Sequence, residues 1–208
     1  MLERSGRVDV ADIRIRQLTP ADAALYRGIR LAGLKQNPEA FGSTFEREFK
    51  KPLAWFFDRL KNSQVFGAFH SSEILGVAGF AIRDHEKEEH KGLLWGMYVR
   101  PGARGTGIAQ RLVEAVIDFA CSRVELIQLS VVMGNEPARR LYARLGFVEY
   151  GIERNSLKHG GRYYDEILMA KDLTADSHRK AVVDLGPAIA TSSDEALPSL
   201  VLASPNAE

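Results

Sequence analysis

A glycine-rich segment in the middle of the chain has the composition of an anion-binding loop. The sequence VRPGARGTGIAQRL places Gly105 and Gly107 between an apolar run that ends at Val99 and a helical pattern that begins near Ile108. Such a loop presents free backbone N–H groups at the positive end of a helix, where phosphates bind. Glycine suits it because a side chain would keep a phosphate away from the backbone and because such loops often need a positive φ. Arg104 adds a formal charge nearby.

This loop has three competing interpretations. A P-loop requires lysine and then serine or threonine after its last glycine, but Gly107 is followed by Ile108 and Ala109, which excludes it. The dinucleotide-binding fingerprint is only half matched, since Gln110 occupies the position of its third glycine. The acidic residue that would contact the ribose should end the next strand, but Glu125 precedes that strand. A nicotinamide oxidoreductase is therefore a minor alternative. The sequence of the loop alone also leaves open a third interpretation, a strand-to-helix turn that binds no ligand.

A second polar motif, NEPARRLYARLG, lies further along the chain. Asn135 is in position to cap a helix whose first turn contains Pro137. Tyr142 shares a helical face with Ala138 and Leu145, so we expect its ring to pack inward. A buried phenol needs a hydrogen-bond partner, which makes Tyr142 either a core residue or a proton donor to a ligand.

The elements around these motifs predict an α/β fold. Strand and helix patterns from Ile13 to Leu173 follow the order βα(α)βββαβαββ. Three consecutive runs, QVFGAFH, ILGVAGFAIR and KGLLWGMYV, are typical of an antiparallel meander. The pattern therefore predicts a single mixed sheet of about seven strands, antiparallel in its first half, with helices on both faces.

Length and composition limit the other classes of protein. The 208 residues fit one domain, which we predict over residues 11–173, after a polar lead (1–10) and before a flexible tail (174–208). Lys plus Arg number 28 and Asp plus Glu 27, so no net charge favours nucleic acid or a membrane surface. Cys121 is the only cysteine, so we expect no disulfide and no thiolate metal cluster. These features and the absence of an apolar signal segment predict a cytoplasmic protein without a metal.

Two motifs together resemble the GNAT superfamily of N-acetyltransferases. RGTGIA, Arg104 to Ala109, is similar to the family's first signature and likewise follows the fourth strand. LSVVMGNEPARRLYARLGF resembles the second signature, a strand followed by asparagine, alanine, leucine-tyrosine and glycine-phenylalanine. The resemblance covers Leu93 to Phe147. It implies a fold whose parallel fourth and fifth strands splay around acetyl-CoA. It also implies direct transfer of the acetyl group to a primary amine through a tetrahedral intermediate.

The resemblance also implies roles for individual residues. Tyr142 would protonate the leaving thiolate as general acid, and a backbone amide at a bulge of the fourth strand would stabilise the oxyanion. The backbone of Arg104, Gly105, Thr106, Gly107, Ile108 and Ala109 would hold the pyrophosphate of coenzyme A. The remaining implied cofactor contacts are Met97, Tyr98 and Val99, which would bind the pantetheine arm, and Asn135, Ala138 and Tyr142.

The general base and the acceptor stay unassigned. Many relatives have a glutamate on the fourth strand, where this chain has Lys91, Gly92, Leu93 and Leu94. Acidic or imidazole side chains nearby are Glu89, His90, Asp165 and Glu166.

Two segments are candidates for the acceptor site. Glu46 and Glu48, set among phenylalanines, would suit a cationic acceptor, although a solvated helix face is the simpler interpretation. Tyr163 and Tyr164 follow a Gly160–Gly161 pair that would let their loop move. Peptide N-termini, lysines, amino-acid-like metabolites and polyamines all remain open as acceptors. So do a homodimer and an acyl-CoA-binding sensor, or pseudoenzyme, without turnover.

Overall fold

The computed structural model of the protein describes residues 12–174. The predicted polar lead, and the predicted tail apart from Thr174, lie outside the described residues. Within that range the helices are α1 (Ala23–Gln36), α2 (Phe45–Phe49), α3 (Leu53–Asn62), α4 (Ile108–Ala120) and α5 (Glu136–Arg144). The strands are β1 (Ile13–Gln17), β2 (Gln64–His70), β3 (Glu73–Ile82), β4 (Lys91–Val99), β5 (Leu126–Val132), β6 (Val148–His159) and β7 (Arg162–Asp172).

The seven strands form one sheet in the order β1-β2-β3-β4-β5-β7-β6. Neighbouring strands are antiparallel except β4 and β5, which are parallel. The predicted mixed sheet, with its antiparallel first half and parallel fourth and fifth strands, is confirmed. The short helix α2 is additional to the predicted element order. It begins at Phe45 after Thr44, whose hydroxyl accepts a hydrogen bond from the Arg47 N–H.

Helices cover the two faces of the sheet and bury two separate apolar clusters. Helices α4 and α5 pack with the cluster that contains Leu94, Ile127 and Leu129. Helices α1 and α3 pack against the other face, over Val65 and Tyr98. Because side chains of a strand alternate between faces, each residue of β4 and β5 can be assigned to the α4/α5 face or to the α1/α3 face.

Strands β4 and β5 pair over only a short length. The register joins Lys91–Leu93 to Leu126–Gln128, and the described ladder ends there, although both strands continue. Further along, β4 contains a bulge, because Gly96 and Met97 together lie opposite the single residue Ala78 of β3. Gly96 has a φ of +65°. The two central strands therefore part towards their carboxyl ends, and β4 is bulged where they part.

The last two strands form a longer hairpin than the sequence predicts. Strand β6 continues to His159, which pairs with Arg162, so only Gly160 and Gly161 form the turn. Their φ values of +55° and +80° are those of a type I′ turn, which only glycine and a few polar residues adopt easily. The glycine pair therefore closes a tight hairpin here, and the loop expected before Tyr163 is part of the sheet.

Candidate active site

The glycine-rich loop connects the end of β4 to the first turn of α4. Gly105 and Gly107 have φ values of +78° and +82°, as expected for such a loop, and a Cβ on either would meet nothing within 4 Å. Glycine is required here by the backbone conformation, and the space above the loop is open.

Six consecutive backbone amides of this loop have no partner. Among the described residues, the N–H groups from Gly105 to Gln110 make no hydrogen bond, whereas the next amide, that of Arg111, donates to the Gly107 carbonyl at 3.1 Å. Four of them belong to the unpaired start of α4, as at any helix N-terminus. The others extend the row of donors into the loop, so the loop and the helix end together form a cradle for an anion.

Arg104 contributes to this loop differently from the expectation. Its own N–H donates to the Pro101 carbonyl at 3.2 Å, so this amide is already used. Its guanidinium donates to the Val99 carbonyl at 3.1 Å and to Asn37 Oδ1 at 3.2 Å. Arg104 thus ties the loop to the end of β4 and to the residue that ends α1. Thr106 braces the loop from within, since its hydroxyl donates to the Ala103 carbonyl at 2.7 Å.

The backbone of β4 beyond Leu93 forms one wall of the opening between β4 and β5. The side chains of Met97 and Tyr98 point to opposite faces, Met97 towards the α4/α5 cluster and Tyr98 towards α1. The Tyr98 hydroxyl donates to Gln36 Oε1 at 2.7 Å. Its side chain is therefore occupied, so Tyr98 faces the opening with its backbone alone.

Helix α5 begins as the sequence predicts. Asn135 is its N-cap, and its Oδ1 accepts a hydrogen bond from the Ala138 N–H at 3.4 Å. The side-chain amide group of Asn135 stays free within the described residues to donate elsewhere. Asn135 comes three positions after the end of β5 and so lies at the end of the sheet where β4 and β5 have parted.

Tyr142 lies inside the α4/α5 cluster, as its helical spacing predicts. Only 5% of the residue is exposed, and its ring meets Phe147 edge-on at 5.8 Å between centroids. Burial raises the pKa of the Tyr142 phenol well above its ordinary value, and the hydroxyl makes no hydrogen bond among the described residues. The phenol is therefore neutral and can donate its proton, since nothing among residues 12–174 accepts it.

The opposite side of the opening carries a carboxylate. Glu166 of β7 accepts hydrogen bonds from Ser130 and Ser156, both at 2.7 Å. Gln128 of β5 pairs with Leu93 of β4. Two positions further along each strand are Ser130 and Trp95, which therefore lie at the same height of the sheet and on its α1/α3 face. Glu166 and Tyr142 thus lie on opposite faces of the sheet.

The other candidate bases are elsewhere. Asp165 points away from Glu166 along β7; it pairs with Arg154 at 2.7 Å and accepts from the Asn155 N–H, and these hydrogen bonds lower its pKa. Glu89 and His90 precede β4 at the end where β4 and β5 are still paired. His90 and Met97 are seven positions apart along the chain, which is roughly 20 Å in extended backbone. Of the four candidates, only Glu166 lies at this end of the sheet on the α1/α3 face.

The two glutamates expected to attract a cationic acceptor do not form such a site. Glu46 is exposed, whereas Glu48 is 2% exposed and accepts two hydrogen bonds from Arg30, at 3.0 and 2.8 Å. Burial alone would raise the pKa of Glu48, but Arg30 outweighs burial and the pKa is lowered. Sequence spacing gave no sign of this pair, because Arg30 and Glu48 come from different helices. Tyr163 and Tyr164 alternate along β7, so they face opposite sides of the sheet.

Neither a membrane span nor a metal cluster is found in residues 12–174. None of the helices there combines the length and apolar character needed to cross a bilayer. No group of three or more His, Cys, Asp or Glu side chains in this range is arranged to hold a metal ion.

Comparison with known sequences agrees with the motifs. The profile of the Acetyltransferase (GNAT) family matches residues 34–147. The chain is 32% identical over 96 residues to phosphinothricin N-acetyltransferase of Streptomyces coelicolor, covering 46% of this chain and 56% of that relative. It therefore spans little more than half of that relative's length. Over 168 residues it is 26% identical to the N-alpha-acetyltransferase RimI of Mycobacterium tuberculosis, covering 79% of this chain and 95% of that protein.

Solved structures share the fold. An acetyltransferase of the GNAT family from Streptococcus pneumoniae has a TM-score of 0.68 at 22% identity, covering 77% of this chain and 98% of that one. An acetyltransferase from Salmonella typhimurium, solved with its cofactor acetyl-CoA, has a TM-score of 0.65 at 21% identity, covering 78% and 94%. The family profile spans more than half of the chain, and the protein therefore belongs to the GNAT acetyltransferase family.

Proposed function

We propose that the protein is an N-acetyltransferase that moves the acetyl group of acetyl-CoA directly to a primary amine. The observation that carries this proposal is the row of six unpartnered amides, Gly105 to Gln110, at the mouth of the opening between β4 and β5. A row of donors at a helix N-terminus suits a pyrophosphate. An unpaired strand edge beside it suits an extended, amide-containing chain.

The residues fit coenzyme A along its length. The amides of Gly105 to Ala109 hold the pyrophosphate, and the backbone of Met97 to Val99 binds the pantetheine arm as an added strand. Asn135 donates its free side-chain amide to the arm while capping α5. The cofactor supplies an activated thioester, and an amide of the β4 bulge stabilises the negative charge that develops on its carbonyl oxygen.

The two faces of the sheet divide the proton transfers. The acceptor amine approaches from the α1/α3 face, where Glu166 removes a proton from the ammonium. The free amine then forms a C–N bond to the acetyl carbon, and its nitrogen, now positively charged, loses a second proton to solvent. The C–S bond breaks as the tetrahedral intermediate collapses to the amide, and Glu166 releases its proton to solvent. Tyr142, on the other face, gives its proton to the departing thiolate and regains one from solvent. An acid and a base on opposite sides of the reacting carbon suit this displacement.

Thiol release from acetyl-CoA tests this proposal when it is measured over peptide N-termini, lysine peptides, amino acids and polyamines. Cofactor binding is recorded by calorimetry in parallel. We expect binding of acetyl-CoA in preference to NAD, and release that depends on one class of amine. Binding without release from any amine would contradict the proposal and favour an acyl-CoA sensor. Preferential binding of NAD would instead favour the oxidoreductase.

A further inference from the structure

We infer that the acceptor carries an anionic group besides its amine, and that a cationic cavity between α2 and α3 binds this group. The inference rests on the proposed transfer to an amine and adds the chemical class of the acceptor. The cavity measures about 180 Å³. Its lining residues are Ser43, Arg47, Glu48, Lys51, Trp55 and Arg59.

The cavity has an excess of positive charge. Arg47, Lys51 and Arg59 line it, and none of them pairs with a carboxylate among the described residues. Glu48 is the only acidic residue in the lining, and both of its oxygens accept hydrogen bonds from Arg30. Glu48 also attracts Arg59, so it is a single carboxylate beside four cations: Arg30, Arg47, Lys51 and Arg59. Positive charge therefore remains in excess around the cavity. An anion stabilises such an arrangement, whereas a second amine would be repelled.

Arg59 is held in place by two indole rings. Its guanidinium lies over Trp55 at 5.1 Å and over Trp95 at 4.6 Å from the ring centroids. Trp95 in turn lies against Gly79, where a Cβ would come within 2.5 Å of the indole ring. The Nε of Arg59 and the hydroxyl of Tyr26 are both buried and make no hydrogen bond of good geometry among the described residues, but Arg59 lies close enough to Tyr26 to oppose the rise of its pKa. A planar guanidinium held over two rings suits recognition of a carboxylate.

The cavity adjoins the reacting centre on the side from which the amine arrives. Trp95, which Arg59 covers, immediately precedes the bulge at Gly96 and faces α1 and α3. Arg30 reaches the same bulge, since its Nη1 lies 3.5 Å from the position of a Cβ on Gly96. One small molecule can therefore present its amine at the bulge and its anion to Arg59. A carboxylate suits both the volume and the planar guanidinium.

The test uses acceptors that differ only in this charge. Glycine, β-alanine, 4-aminobutyrate and 5-aminopentanoate are each compared with the corresponding carboxamide. Binding is followed by intrinsic fluorescence, because the only two tryptophans, Trp55 and Trp95, both contact Arg59. We expect at least one acid to bind about tenfold or more tightly than its amide. Arg59→Gln should abolish this preference and Arg47→Gln should reduce it. Lys61→Gln, an exposed change in the same helix, should leave it intact.

Each outcome separates this inference from the proposed function. Equal binding of acids and amides, no response to any acid, or a preference that survives Arg59→Gln in a folded variant would overturn the inference. Acetyl transfer to amides as fast as to acids would also overturn it, while leaving the transferase standing. Selective binding of an acid without thiol release would support the anion site and count against the transferase.

Discussion

Substitution of Gly107 separates the backbone requirement of the loop from its affinity for negative charge. A side chain at a φ of +82° costs about 1 kcal/mol of folding stability. No clash adds to this, because a Cβ would meet nothing within 4 Å. Gly107→Gln and Gly107→Glu therefore lose a similar amount of stability. The glutamate alone places a charge beside the phosphates. At about 5 Å and an effective dielectric constant of about 20, two unit charges repel by about 3 kcal/mol.

The expected result is a Kd for acetyl-CoA about 100-fold weaker for Gly107→Glu than for Gly107→Gln, with equal melting temperatures for the two variants. Calorimetric titration gives the Kd values, and thermal unfolding checks the shared loss of stability. The difference in Kd between the two variants should become smaller in about 1 M salt, because salt screens exposed charges. Equal affinities of the two variants at low salt would refute the assignment of this loop to the pyrophosphate.

Three further predictions concern the acid, the base and acid stability. Tyr142→Phe should lower kcat about 100-fold and leave the Kd of acetyl-CoA unchanged, because only an unpartnered hydroxyl is removed; unchanged turnover would exclude it as the acid. Glu166→Gln should lower kcat similarly, whereas Asp165→Asn, the matched control on β7, should have little effect; equal effects would refute the choice of base. The hydrogen bonds from Arg16 lower the pKa of Asp22 from 3.8 to about 2. The stabilisation of the folded state by the Asp22–Arg16 pair is therefore complete above about pH 4 and is lost as the pH falls through 2. Asp22→Asn should cost about 1 kcal/mol at pH 7, with the gap closing towards pH 2 in thermal unfolding; a gap independent of pH would contradict the role of this pair.

The sequence predicts the geometry of the glycine loop and of the α5 cap well, because these features depend on residues close together in the chain. The glycine loop, the start of α4 and the Asn135 cap each depend on neighbours within a few positions, so spacing alone identifies them. The inward position of Tyr142 likewise follows from the helical period. The bulge at Gly96 could be expected only from the family resemblance, since nothing in the apolar run KGLLWGMYV marks it.

The proposed acceptor side could not be predicted in the same way, because its contacts join distant segments. Arg30 and Glu48 are 18 positions apart and on different helices, so Glu48 looked like a solvated charge. Ser130 and Glu166 are 36 positions apart on neighbouring strands. The packing of Arg59 against Trp95 depends on how α3 crosses the sheet, which the periodicity of a single helix does not specify.

The fate of the acetyl group tests the central claim most directly. Acetyl-CoA labelled with carbon-13 in its acetyl group is incubated with the protein and the amine panel, and the labelled carbon is followed by NMR. The account predicts that the label lost from acetyl-CoA appears as an amide of one class of amine. Label that appears only as free acetate, or that stays on coenzyme A with every amine, would contradict it.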